Sequence, residues 1–295
     1  MLPLVGMLVV FCSVIGGFAL ENGRFAPLAQ PSEAVIICGA AIGTLLISNP
    51  VELLKKTYRC LLRIFRGPPL TKAGYLGGLL MLHALFDYAR RNGATKLEDQ
   101  LDHPERSIVF RRHAAASREI GVLSFICDTL RLTTMTKMGP RDLDELLDKE
   151  MEAREKELGA PAETVAALAD ALPGLGIISA VLGVIITMGS ITATPRVIGE
   201  KVGSALVGTF LGIFISYGFV APLGEHLSRL CEAEVQYFQM LRAALGAFGK
   251  GFPSSIALEF GRRAIPPDLR PGFGEMEMAF REAREQTAHK VITMP

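Results

Sequence analysis

Four long apolar stretches of this 295-residue chain contain no Asp, Glu, Lys, Arg or His, so the groups within them able to do chemistry are hydroxyls, Ser179, Thr187, Thr209 and Tyr217 being the candidates. Ionisable side chains inside a bilayer mark ion paths and proton relays. A chain without them handles ions only if another helix brings the carboxylate, its own share being hydroxyl oxygens and backbone at a common interface. No catalytic constellation competes with this reading. There is no G-x-x-x-x-G-K-[ST], H-E-x-x-H or G-x-S-x-G, and His83, His103, His113, His226 and His289 are scattered. Gly174-x-Gly176 lacks the third glycine and the preceding strand of a dinucleotide site. An enzyme is not expected, nor a bound cofactor or metal. Lys+Arg 31 against Asp+Glu 30 gives no basic surface for nucleic acid. The five cysteines have no metal-ligand or disulfide spacing.

The hydroxyls need helices that cross a membrane, and a crossing takes about 20 apolar residues. With 49% hydrophobic residues and a mean hydropathy of +0.33, the chain supplies them in four blocks. Leu2 to Leu20 is uncharged; with no basic leader and no small-x-small site before Glu21, it reads as a retained span and not a signal peptide. Ala34 to Val51 follows, with Glu33 and Glu52 at its edges, then Ala171 to Ile191 and Val202 to Gly224. Lys55, Lys56, Arg59, Arg63 and Arg66 follow the second block, whereas the links at 21–33 and 192–201 carry only Arg24, and Arg196 with Lys201. Basic segments stay in the cytoplasm, so both termini are expected there. The expected fold class is all-α, a polytopic membrane protein with four transmembrane helices and a helical cytoplasmic domain. Its parts are a first hairpin at 1–54, a cytoplasmic domain at 55–170, a second hairpin at 171–224 and a cytoplasmic helix and tail at 225–295.

Small residues repeat at four-residue spacing along these spans. Ser204, Gly208, Gly212 and Ser216 form one stripe; Gly39 and Gly43, Gly176 and Ala180, and Ser179 and Gly183 form shorter ones. Helices in lipid associate through such residues, and a stripe of this length is expected to touch another subunit as well as its own chain. Pro173 and Pro222 both fall near the cytoplasmic edge, as a first-turn proline and a helix-end bend, or as paired hinges that pass membrane events to the cytoplasm.

The cytoplasmic segments carry helical periodicity throughout. A helix at 72–91 should stop at Asn92-Gly93, and Thr95-Lys96-Leu97-Glu98 should open the next with a capping box. The spacing of Ile120, Leu123, Ile126 and Leu130 predicts a helix over 108–131. After Gly139-Pro140 a charged helix is expected to about Leu158, to break near Pro161 and to resume into the third span. A last helix carries Leu227, Leu230, Phe238, Leu241, Leu245 and Phe248 to Gly249.

The ordered set of local sequences resembles the MotA family of flagellar stator subunits over essentially residues 1 to 280. It runs from Gln30-Pro31-Ser32-Glu33 through Leu172-Pro173-Gly174-Leu175-Gly176-Ile177 and Val207-Gly208-Thr209-Phe210-Leu211-Gly212-Ile213 to Tyr217-Gly218-Phe219 and Pro222-Leu223. It ends with Ile256-Ala257-Leu258-Glu259-Phe260-Gly261-Arg262 and Arg270-Pro271-x-Phe273. The resemblance implies a pentameric ring in the bacterial inner membrane around the helices of MotB-like single-span partners, which supply the membrane Asp. Ion flow would turn the ring and drive the rotor protein FliG. It places rotor contacts at Arg90 and Glu98, which on structural grounds would complement a helix C-terminus and close the capping box. It places Thr209 at the family's hydroxyl position and Ala180 where sodium-type relatives carry Thr, which favours a proton as the transported ion. Tyr217 either lines the path or ends a core helix. An ExbB- or TolQ-like energiser is the alternative, against which the four spans count.

Overall fold

The computed structural model describes residues 2–23, 25–65, 70–113, 116, 121–135, 138–189, 192 and 194–292. Arg24, Arg66, Ile120 and Ile191 lie outside the described residues. All regular structure among these is helical, and the chain divides into two compact units, 1–67 with 158–231 and 68–157 with 232–295.

The first unit holds four helices long and apolar enough to cross a membrane. Helix α1 (Leu2–Leu20) buries none of its residues, and α2 (Pro31–Ser48) buries only Glu33, Ile37 and Ala41. A proline fits the first helical position because its missing N–H would be unpaired there anyway. Starting at Pro31 brings Glu33 inside the helix, although the apolar run begins only at Ala34. Asn49 and Pro50 are extended and end α2; the amphipathic α3 (Val51–Ile64) follows at once. Asn49 fixes the bend by donating to the Leu45 carbonyl at 3.1 Å and accepting from the Thr164 hydroxyl at 3.3 Å.

Two expectations fail here, the break near Pro161 and the first-turn place of Pro173. Helix α8 runs unbroken from Pro140 to Met188 through Pro161 and Pro173, and α9 (Pro195–Ile215) continues through a π-helical turn at Ser216–Val220 into α10 (Ala221–Gly249). Pro173 cannot donate to the Ala169 carbonyl four residues earlier, but the buried Ser216 hydroxyl donates to that carbonyl at 2.6 Å. The π turn lies just ahead of Pro222 and closes with the Ala221 N–H on the Ser216 carbonyl; the wider turn accommodates the ring.

The small stripe on α9 is consumed within the chain. A Cβ at Gly176 would lie 2.8 Å from the Gly208 carbonyl oxygen and 3.0 Å from Gly212 Cα, and one at Gly183 2.9 Å from Ala205 Cα. Such closeness of backbones is what glycine permits. Gly39 and Gly43 of α2 have nothing within 4 Å. The stripe expected to meet a second subunit is therefore an internal seam.

In the second unit, α4 (Lys72–Asn92) ends at Gly93, whose φ of +79° suits glycine, as its sequence signals require. Gly93 is also the residue before α5 (Ala94–Asp102), and no side chain caps that helix. The capping box is absent because the turn places Thr95 inside the helix. The span 108–131 splits into α6 (Ile108–Arg112) and α7 (Val122–Met135). Gly121, with φ +87°, sits between them, and a side chain there would strike the Arg154 guanidinium. Arg154 itself stands 4.3 Å from the Phe238 ring centre and 3.4 Å from Glu150. Tyr75, Leu79, Leu82 and Phe86 of α4 and Tyr237, Phe238, Leu241 and Leu245 of α10 are buried in the core, where the Tyr75 and Tyr237 rings lie 5.7 Å apart and Phe86 stacks on Phe248 at 4.1 Å. Helices α11 (Ser254–Ala264) and α12 (Phe273–Ile292) complete the unit.

Arg262 grips Glu259 with two nitrogens at 2.7 Å, and Arg263 adds a third contact at 2.8 Å. The hydrogen bond from Arg262, then that from Arg263, holds the Glu259 carboxyl down to about 2 against the opposing effect of burial. A carboxylate depressed in the folded state stabilises above its ordinary range, and that stabilisation is lost as pH falls through the folded value. The unfolding midpoint is therefore expected to drop between pH of about 4.5 and 2, and less steeply in Glu259→Gln. Parallel curves for the two proteins would exclude this cluster as the cause.

Candidate functional site

The membrane unit gathers its polar groups along the seam of α2, α8 and α9. Glu33 is buried there, and the buried Ser179 hydroxyl donates to its Oε2. Gly208 and Gly183 supply the room: a Cβ at Gly208 would lie 2.6 Å from Glu33 Oε2 and 3.1 Å from the Ala180 N, and one at Gly183 3.4 Å from Glu33 Oε1. Gln30 donates to the Ser204 hydroxyl at 2.9 Å, which ties the start of α2 to α9. The expectation of spans free of ionisable groups thus fails at Glu33. The hydropathy boundary excluded a residue that the helix includes, and the signal that could have found it is Pro31, which fixes the helix start two residues before. A carboxylate so placed, accepting from the Ser179 hydroxyl, ties the first hairpin to the second.

The other named residues are spread over different surfaces. Ala180 is buried against Gly208. Thr209 is half-buried and lines an apolar groove with Val14, Leu206, Phe210, Ile213 and Phe214. Tyr217, in the π turn, is 68% exposed. One chain does not bring these three side chains to a point. The hydroxyls are largely engaged: Ser179 bonds Glu33, and Thr187 donates to the Gly183 carbonyl of its own helix at 2.9 Å. Helix α8 keeps only a narrow strip buried and exposes Ile177, Ile178, Val181, Ile185, Ile186 and Met188. Pro173 and Pro222 belong to the Ser216 arrangement described above.

In the second unit Arg90 is exposed in the last turn of α4 and Glu98 is half-buried on α5, with Gly93 between them. Neither is ion-paired among the described residues. Their neighbours Arg91 and Asp87 approach within 3.6 Å. Burial pushes the Cys127 thiol up to about 11, well away from a reactive thiolate. Among the described residues no cluster of His, Cys, Asp and Glu could hold a metal.

Comparison with known proteins places the whole arrangement. Residues 4–93 match the family described as Motility protein A N-terminal, and residues 119–240 match the MotA/TolQ/ExbB proton channel family. The chain is 36% identical to chemotaxis protein LafT of Vibrio parahaemolyticus, over 92% of this chain and 96% of that one. It is 35% identical to motility protein A of Escherichia coli, over 97% of this chain and 98% of the relative. Among solved structures it resembles C. jejuni MotAB with a TM-score of 0.70 at 20% identity, covering 90% of this chain and 96% of that chain. The flagellar MotAB stator complex of Bacillus subtilis gives 0.65 at 23%, covering 87% and 92%. The fold is shared with both. The near-complete coverage of relatives above a third identity establishes that this chain belongs to the motility protein A family, a branch of the MotA/TolQ/ExbB proton channel proteins and not an enzyme family.

Proposed function

We propose that this chain is the ring-forming subunit of a flagellar motor stator in the bacterial inner membrane, both termini cytoplasmic. With a MotB-like single-span partner it would pass protons across the membrane and turn that flow into torque on FliG. The observation that carries the reading is likeness to motility protein A along nearly the whole chain, including the N-terminal region where the match is to that family by name. The broad apolar face of α8 suits neighbouring subunits and the partner's helix, since its own chain leaves that face uncovered. In this reading the partner's Asp carries the ion. Thr209 and Tyr217 flank the path, and Ala180 offers no hydroxyl to a sodium ion, which needs several oxygen ligands, whereas a proton needs one carboxylate and water.

Arg90 and Glu98 are the rotor contacts in this proposal. They flank one sharp turn, and charges there can sort partner groups by sign. Pro173 and Pro222, bridged through Ser216, would transmit the membrane event.

The experiment is deletion of the gene with complementation in sodium-free medium. Cells that keep filaments but stop swimming, and swim again without sodium once this gene and its partner return, fit the proposal. In those cells Arg90→Glu together with Glu98→Lys should abolish most swimming, and reversed charges on the rotor should restore it. Recovery only with sodium would overturn the proton assignment; unimpaired swimming after deletion would point to an ExbB-like duty.

A further inference from the structure

Helix α3 has three distinct faces. Thr57 and Ile64 are buried, with Leu53, Cys60 and Leu61 partly so; Ile64 packs on Ala162, Val165, Leu227 and Cys231 of α8 and α10. Beside that face runs an uncovered apolar stripe, with Val51 56%, Tyr58 64% and Leu62 46% exposed, continued by Phe65 just past the helix end. The third face carries Lys55, Lys56, Arg59 and Arg63 against a single acid, Glu52, and Lys55 and Arg59 are exposed. A helix free in water gains nothing from an uncovered row that includes Tyr and Leu. A helix set in a bilayer surface buries such a row in the acyl boundary and turns its cations to the headgroups.

Position agrees with composition. Helix α3 begins three residues after the end of the spanning helix α2, behind the extended pair Asn49-Pro50 that the Thr164 contact holds. Its buried face meets α8 at Val165, just before the apolar block that starts at Ala171. Both neighbours therefore lie where apolar span gives way to polar helix. The basic end is also the side that positive charge assigns to the cytoplasm, and the leaflet there carries anionic lipid.

We propose that α3 lies in the cytoplasmic membrane surface and binds the phosphate headgroups of anionic phospholipids through Lys55 and Arg59, with Tyr58 and Leu62 seated among the acyl chains. The interaction is one of charge and apolar burial together, so neither a zwitterionic lipid nor free phosphate substitutes for it. It is independent of the motor reading, since any membrane role of the chain would retain it.

The test uses the full chain with its partner, stripped of lipid in neutral detergent, and counts bound phosphatidylglycerol and phosphatidylcholine by native mass spectrometry. Phosphatidylglycerol should be retained in preference to phosphatidylcholine, and added salt should weaken its binding. Each surface cation contributes about a fivefold gain in affinity, so Lys55→Gln with Arg59→Gln should weaken binding by about 30-fold. The charge-preserving pair Lys55→Arg and Arg59→Lys should bind as the parent does, which separates charge from folding. The distant pair Lys149→Gln and Arg196→Gln, both highly exposed, should leave binding unchanged. Equal retention of phosphatidylcholine, undiminished binding by the Lys55→Gln and Arg59→Gln protein, or displacement by inorganic phosphate alone would each overturn the proposal.

Discussion

Gly212→Leu is expected to abolish assembly of the membrane unit, and even Gly212→Ala to destabilise it by about 1–3 kcal/mol, the usual cost of overpacking a close-fitted core. A Cβ at this position would stand 2.7 Å from the Leu172 carbonyl oxygen and 2.8 Å from Gly176 Cα. Both obstacles are backbone, so no rotamer change relieves the clash and the helices must separate. Gly39→Ala is the control, because nothing lies within 4 Å of Gly39. Buried Cys231 of the same unit provides the readout, as a thiol-reactive dye in detergent reports its exposure on heating once Cys12 and Cys38, already exposed, are replaced by Ser. A Gly212→Ala protein that melts with the parent would refute the seam as the determinant of this packing.

Ser216→Ala should cost about 1–3 kcal/mol, the desolvation penalty of a buried carbonyl left without a donor. The group at stake is the Ala169 oxygen, which Pro173 cannot serve. Pro173→Ala returns an N–H to the helix and should therefore rescue Ser216→Ala almost fully, while doing no harm alone. Residues sharing one hydrogen-bonding group show coupling of about 0.5–3 kcal/mol in a double-mutant cycle. Melting of the four proteins measures it directly. If Ser216→Ala costs the same in both backgrounds, the hydroxyl does not stand in for the missing N–H.

The Ser216 case also explains why part of the fold was hidden in the sequence. The four spans were legible from uninterrupted apolar runs, and the end of α4 from Asn92-Gly93, because those signals are local. A break near Pro161 was expected from the same local logic, yet whether a proline ends a helix depends on what satisfies the freed carbonyl. At Pro173 that partner lies 47 residues further on along the chain from Ala169. Glu33 escaped for a related reason: hydropathy locates where polarity stops, and helix α2 starts before that point. Gly121, just ahead of α7, has a positive φ that composition does not announce. Arg90, Glu98, Thr209 and Tyr217 enter the proposal through family likeness alone, while the Glu33–Ser179 contact required the helices to be seen together.

The internal use of the glycine seam has one more consequence. With the small residues of α9 turned inward, α8 meets whatever surrounds it through branched aliphatic side chains such as Ile177, Val181 and Ile185. Such a face forms no directional bonds, and each atomic contact on it is worth only about 0.1–0.2 kcal/mol. A neighbour that slides along it exchanges one set of weak contacts for a nearly equivalent set, with no hydrogen bond to break on the way. The chain thus combines an interlocked glycine seam inside with an aliphatic face outside.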